Sequence, residues 1–324
     1  MTKFFKIALK VVLGIVVLIG LAVAGIVLLL PNIEADQTVK IEPSPERVAR
    51  GKYLANHVAV CMDCHSTRDW TSYAGPMSSQ GIGAGGEKFS REMGFPGVIY
   101  ARNITPSGIG NWTDGEVVRA VTSGVSKDGS ALFPLMNYHR FGQMDQEDVY
   151  SIVAYIRTLE PVKREIPRSE YDFPVNILIH TFPSEAAYQK IPPKSDKKAY
   201  GKYLVNVSGC VDCHSKTDKG NVIPGTEFGG GMAFNQPGGK VVSPNITPHQ
   251  KSGIGNWTND LFVQRFKVFA SPGYTPAKIG QQDLNTPMPW NMYAGMTEED
   301  LTAIYTYLKS VDPIDNKVVA FQKK

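Results

Sequence analysis

Two pentapeptides limit what this chain can fold into: Cys61-Met-Asp-Cys64-His65 and Cys210-Val-Asp-Cys213-His214. In each, two cysteines three apart share one helical turn and a histidine follows directly, the C-x-x-C-H pattern of c-type haem attachment. Both sulfurs can form thioethers to one porphyrin edge while the imidazole turns to the iron, and the covalent links keep the haem in place even if the fold opens. All four cysteines fall inside these motifs. The competing readings are zinc knuckles and redox dithiols. A four-cysteine zinc site usually keeps its pairs closer together, and a redox dithiol needs no histidine after its second cysteine twice over. The motifs therefore predict two covalently attached haem c groups.

The rest of the chain repeats around them. Gly-Lys-Tyr-Leu occurs at 51–54 and 201–204. Asn103-Ile-Thr-Pro106 is followed by Gly108-Ile-Gly-Asn-Trp-Thr113, and Asn245-Ile-Thr-Pro248 by Gly253-Ile-Gly-Asn-Trp-Thr258. This period is too long for a solenoid, so one globular module has been duplicated. The expected organisation is a start and apolar helix at 1–30, a tether at 31–44, one domain at 45–160, a proline-rich linker at 161–195 and a second domain at 196–324. Phe173, Ile177, Leu178, Ile179 and Phe182 are expected to pack the linker against the modules. Each domain should begin with a helix, the first opened by Pro45, and end with another. Asp145-Gln-Glu-Asp148 and Thr297-Glu-Glu-Asp300 have the form of capping boxes. Helical spacing of Val149, Ile152, Val153 and Ile156, and of Leu301, Ile304, Tyr305 and Leu308, follows them. The Gly, Pro, Ser and Asn content in between predicts long loops with little strand.

Lys3, Lys6 and Lys10 precede an apolar run from Val11 to Leu30, with Glu34 and Asp36 beyond it. The run is long enough to cross a hydrocarbon core of about 30 Å. The charge asymmetry puts the start in the cytoplasm and the remainder on the periplasmic side of an inner membrane. Ala22-Val-Ala24 resembles a signal-peptidase site, but the apolar residues Ile26 to Leu30 follow almost directly, which favours an uncleaved anchor. The formal net charge of +4 over 324 residues gives no argument for nucleic acid.

A histidine-bound haem iron has a second face, and its ligand decides between electron transfer and chemistry. The candidates are Met136, His139 and Met144 in the first domain and Met288, Met292 and Met296 in the second. Counted back from the capping boxes, Met136 matches Met288 and Met144 matches Met296, whereas Met292 falls opposite Arg140 and His139 opposite Asn291. Met144 and Met296 stand where a hydrophobic staple would use them. That leaves Met136 and Met288, beside Pro134 and beside Pro287 and Pro289, as the axial ligands opposite His65 and His214. Trp112 and Trp257 are candidates to donate an indole N–H to a buried haem propionate, against the alternative of simple core packing. Asn103 and Asn245, which open the repeated blocks, are grouped with them as cofactor-side candidates. Arg102 could add charge compensation in the first domain. The glycine clusters at 81–86 and 229–231 neither follow a strand nor open a helix, so they do not read as phosphate loops.

With these motifs placed, the chain resembles the multi-haem cytochrome c subunits of bacterial membrane-bound alcohol and sugar dehydrogenases, from about Pro45 to Pro313. The resemblance implies an all-α fold, with one helical cytochrome c domain per unit. It also implies methionine ligation at Met136 and Met288, no catalytic residues, and electron delivery from a dehydrogenase or quinol-oxidising donor to an oxidase or soluble cytochrome. Three-haem members have one motif more than this chain. They also carry Met-Pro-Tyr where it has Met136-Asn-Tyr138 and Met288-Pro-Trp290. A dihaem peroxidase and a relay subunit of a larger respiratory complex are the alternatives.

Overall fold

The computed structural model describes residues 3–280 and 282–324. It opens with α1 (Lys3–Leu29), 27 residues with no buried position. Its most apolar window has a mean hydropathy of 3.1, so it is long and apolar enough to cross a membrane.

The first unit runs through α2 (Pro45–Tyr53), a π-helical stretch (Leu54–Val58), α3 (Cys61–Cys64), β1 (Lys88–Phe89), β2 (Gly97–Tyr100), α4 (Pro106–Ile109), α5 (Asp114–Ser123), α6 (Tyr138–Phe141) and α7 (Gln146–Arg157). β3 (Glu170–Tyr171) and the one-turn α8 (Val175–Leu178) follow. The second unit has α9 (Lys197–Val207), α10 (Cys210–Cys213), β4 (Thr217–Asp218), β5 (Asn221–Val222), β6 (Ala233–Gln236), β7 (Gly239–Val242), α11 (Asn259–Lys267), α12 (Trp290–Tyr293), α13 (Glu298–Leu308) and β8 (Phe321–Lys323).

The all-α expectation needs correction. Helices hold 40% of the residues, but 9% are extended, in three small sheets. The glycine-rich loops close on themselves as antiparallel hairpins. β1 pairs with β2 (Phe89 opposite Ile99), and β6 pairs with β7 (Phe234 opposite Val241). A strand from beyond the last helix completes each of these two sheets, with Val98 opposite Glu170 and Val241 opposite Phe321, while β4 and β5 pair alone. Strands of two to four residues are too short to show an alternating pattern in sequence.

The two units share one core. Leu54, Val58, Val149 and Ile152 belong to the same buried cluster as Leu204, Val207, Leu301 and Ile304. The glycine of each Gly-Lys-Tyr-Leu lets its helix touch the last helix of its own unit. A Cβ on Gly51 would lie 1.7 Å from Ser151 O, and one on Gly201 would lie 1.9 Å from Ala303 O.

The tyrosine of the same repeat reaches the other way. Tyr53 Oη accepts from the Thr297 N–H at 3.1 Å and donates to Asp300 at 2.5 Å. Tyr203 Oη accepts from the Asp145 N–H at 3.1 Å and donates to Asp148 at 2.7 Å. Each unit thus completes the helix cap of the other. In the sequence these caps read as local boxes. The third-position acid instead holds a tyrosine hydroxyl, and that hydroxyl takes the cap N–H.

Candidate haem sites

Each C-x-x-C-H motif is a single helical turn preceded by a residue in the left-handed region, Val60 at φ 47° and Gly209 at φ 63°. The turn closes when the His65 N–H donates to Cys61 O at 3.0 Å and the His214 N–H to Cys210 O at 2.9 Å. His65 Nδ1 lies 2.7 Å from Arg102 O, and His214 Nδ1 lies 2.9 Å from Pro244 O. A carbonyl only accepts, so Nδ1 carries the proton and the Nε2 lone pair is left for a metal. Burial lowers both histidine pKa values, the carbonyl bond opposing it, so the rings stay neutral.

The two carbonyls are held by one clamp built twice. Asn103 Oδ1 accepts from the Thr105 N–H at 2.9 Å and its hydroxyl at 2.7 Å, while Asn103 Nδ2 donates to Val162 O at 2.8 Å. Asn245 repeats this with Thr247 at 2.9 and 2.7 Å and with Ile314 O at 2.7 Å. The blocks therefore tie the segment after each last helix to the residue that orients the histidine. The glycine clusters close the other side. Gly85 donates to His65 O and Gly230 to His214 O, both at 2.8 Å. Both glycines have left-handed φ, and a Cβ on either would lie 2.6 Å from backbone. Ser66 and Ser215, wholly buried beside the histidines, accept from Gly83 N–H at 3.0 Å and Phe228 N–H at 3.1 Å.

These residues suit covalent haem better than the other readings of C-x-x-C. Burial pushes the Cys61, Cys64 and Cys210 thiols up to about 12, against the depressed values that a redox dithiol needs. Among the described residues, no three His, Cys, Asp or Glu side chains converge as a metal site. Tyr138, two residues past Met136, is completely buried with its hydroxyl unpartnered. A bound group with an acceptor would satisfy it.

Met136 and Met288 are half-buried just before the one-turn helices α6 and α12. Met288 packs on the core, its N–H donating to Thr286 Oγ1 at 3.1 Å. Met144 and Met296 are 0% and 1% exposed and share the core cluster with Val149 and Leu301. Met292 is buried, and its carbonyl accepts from His57 Nδ1 at 2.9 Å. His139 is exposed and 3.2 Å from Ser184 Oγ. Trp112 and Trp257 pack against the core, and their carbonyls accept from Arg157 at 2.6 Å and Tyr305 at 2.7 Å. The Arg102 guanidinium donates to Pro167 O at 2.8 Å.

Sequence reasoning missed how closely the two motifs are joined. The acid inside each motif is paired with an arginine. Asp63 meets Arg68 at 2.8 Å within the first unit, but Asp212 meets Arg140 of the first unit at 2.6 Å. Asn137, next to Met136, also donates to Asp212 at 3.1 Å. Buried Tyr293 donates to Ser208 O at 2.8 Å. Its pKa is raised chiefly by burial, with Cys210, Cys213, Asp63 and Cys64 adding to the effect, so groups of both motifs surround it. The Cys-His-Ser triplet at 64–66 and again at 213–215 was a visible signal for Ser66 and Ser215. Nothing local marks Arg140 or Tyr293.

Residues 198–312 match the Cytochrome c family. Over 306 residues the chain is 30% identical to the fructose dehydrogenase cytochrome subunit of Gluconobacter japonicus, covering 86% of this chain and 56% of that protein. It is 29% identical to the cytochrome c subunit of the quinone alcohol dehydrogenase of Komagataeibacter europaeus, covering 82% of this chain and 56% of that subunit. A diheme cytochrome c-type protein of Cereibacter sphaeroides is 26% identical, over 79% of this chain and 83% of that protein. The chain thus spans about half the length of the dehydrogenase subunits it matches. With its histidine clamp at His214 and this family match, the chain carries a cytochrome c domain that implies covalent haem c, and it resembles dehydrogenase cytochrome c subunits over most of its length.

Proposed function

We propose that this protein is a membrane-anchored dihaem electron carrier, with domains at 45–160 and 196–324 joined by a linker at 161–195. The observation that carries the reading is the imidazole clamp, built twice on the same residues in the same order. Haem c bound at each motif supplies an iron that gains and loses one electron. His65 and His214 hold their Nδ1 protons against carbonyls and would offer neutral Nε2 to that iron. Met136 and Met288 would supply its second ligands, which would favour the reduced state over peroxide chemistry. Trp112, Trp257, Asn103 and Asn245 line the two sites. Arg140 and Asn137, bonded to Asp212, hold the loop that carries Met136 against the second motif.

α1 tethers the chain with its start in the cytoplasm and both haem domains on the periplasmic side. Two of the named relatives are cytochrome subunits of dehydrogenases, which points to a dehydrogenase or quinol-oxidising donor and a respiratory oxidase or soluble cytochrome as acceptor. A pyridine haemochrome assay on the purified chain should give two haem c per polypeptide, and one in Cys61→Ala/Cys64→Ala. A single haem in the unaltered chain would contradict the dihaem reading.

A further inference from the structure

Residues 171–182 read Tyr-Asp-Phe-Pro-Val-Asn-Ile-Leu-Ile-His-Thr-Phe, a composition that suits a segment packed between modules. The fold leaves much of it uncovered. Phe173 is 79% exposed and Leu178 42% exposed, while Ile179 is buried. The segment folds as α8 and a 3-10 turn (Ile179–Thr181). Both lie against α1. His180 Nδ1 is 3.0 Å from Leu30 O, the carbonyl just past the end of α1. Toward this end the half-covered residues of α1 are Val23, Gly25 and Ile26, whereas nearly all of its earlier residues are exposed.

We infer that 173–182 is a second membrane contact, with Phe173 and Leu178 seated in the boundary between headgroups and acyl chains beside α1. The inference rests on α1 crossing the bilayer. Where an apolar helix ends, the bilayer surface must lie close to its last turns, so a segment bonded to Leu30 O is placed at that surface. One turn of helix leaves most of its backbone groups without internal partners, so it cannot sink into hydrocarbon, but it can lie in the interface with its apolar side chains inward. Asp172, the carboxylate next to Phe173, is paired with Arg91 at 2.6 Å and does not stand unpaired against the lipid. Leu178 belongs to the turn of helix that lies against α1, and Phe173 stands exposed two residues before that turn. A second contact point beside α1 fixes the orientation of the haem units over the membrane.

The test uses the full haem-loaded chain in phosphatidylcholine vesicles containing a diazirine-bearing phospholipid. After photolysis, trypsin yields residues 11–40, which hold most of α1, and residues 169–190, which hold the linker segment. Label is expected in both peptides. In Phe173→Ser/Leu178→Ser the label in 169–190 should fall at least threefold, with that in 11–40 and the visible haem spectrum unchanged. Label confined to 11–40 would overturn the second contact alone, whether water or another protein covers the segment. Label in 169–190 unmoved by the double substitution would overturn it as well. Label in neither peptide would also remove the anchor on which it rests.

Discussion

A histidine offers iron a lone pair only while its other ring nitrogen keeps the proton, and Arg102 O and Pro244 O keep it there for His65 and His214. Those carbonyls depend on Asn103 and Asn245. Asn245→Ala removes hydrogen bonds to buried partners, so the holoprotein should lose about 2 kcal/mol of stability in denaturant titration. Gly230→Ala is harsher. It places a methyl 2.6 Å from backbone at φ +72°. The expected result is loss of about half the haem absorbance, with the first haem retained. The cysteines and histidines were legible because thioether attachment packs its whole requirement into five consecutive residues. The carbonyls behind the histidines were not, because a carbonyl has no sequence signature and its position depends on where the chain returns. Met136 and Met288 stood out only through the repeat, which removed candidates that periodicity and composition could not rank.

Among the elements, the reciprocal tyrosine caps bind the halves together. The repeated Gly-Lys-Tyr-Leu was visible as duplication, and the terminal helices could be read from their apolar spacing. That Tyr53 serves α13 and Tyr203 serves α7 was hidden, since the partners are 244 and 58 residues away. Tyr203→Phe leaves the buried Asp145 N–H without its acceptor and takes one of two donors from Asp148 Oδ2, which Arg50 still holds, and should cost about 1–3 kcal/mol by thermal or denaturant unfolding. The same tyrosines set an alkaline limit. Burial first, then the neighbouring carboxylates Asp300 and Asp148, raise Tyr53 and Tyr203 far above the ordinary value of 10.0. The unfolded tyrosines ionise near 10 while the folded ones keep their protons. Stability contributed by each is therefore complete below pH 10 and is lost as pH rises through the folded value, by about 1.4 kcal/mol per pH unit. Unfolding measured from pH 9 to 11 should show this decline, and Tyr203→Phe should make it shallower. The short strands escaped sequence reading for a different reason. They are held by hairpin closure and by a third strand from beyond the last helix, with no run of β-branched residues to announce them.

Over the whole molecule, two modules expected to face each other as separate bodies share a continuous core and an arginine that crosses from one to the motif of the other. Amphipathic periodicity shows that a face is buried, but not against what, which is why duplication was legible and fusion of the cores was not. The anchor reading makes its own prediction at this scale. Alkaline carbonate should leave the full chain in the membrane pellet, and protease added to spheroplasts should digest both haem units. Protection of those units would put them on the cytoplasmic side and contradict the assigned orientation. The central claim, two closed histidine–methionine haems, is tested most directly by the visible spectrum during redox titration of the chain with Met136→Ala, Met288→Ala and both. The weak far-red band of methionine sulfur on ferric haem should be partly lost in each single variant and wholly lost in the double. A band that survives the double substitution, or that either single substitution abolishes outright, would contradict it.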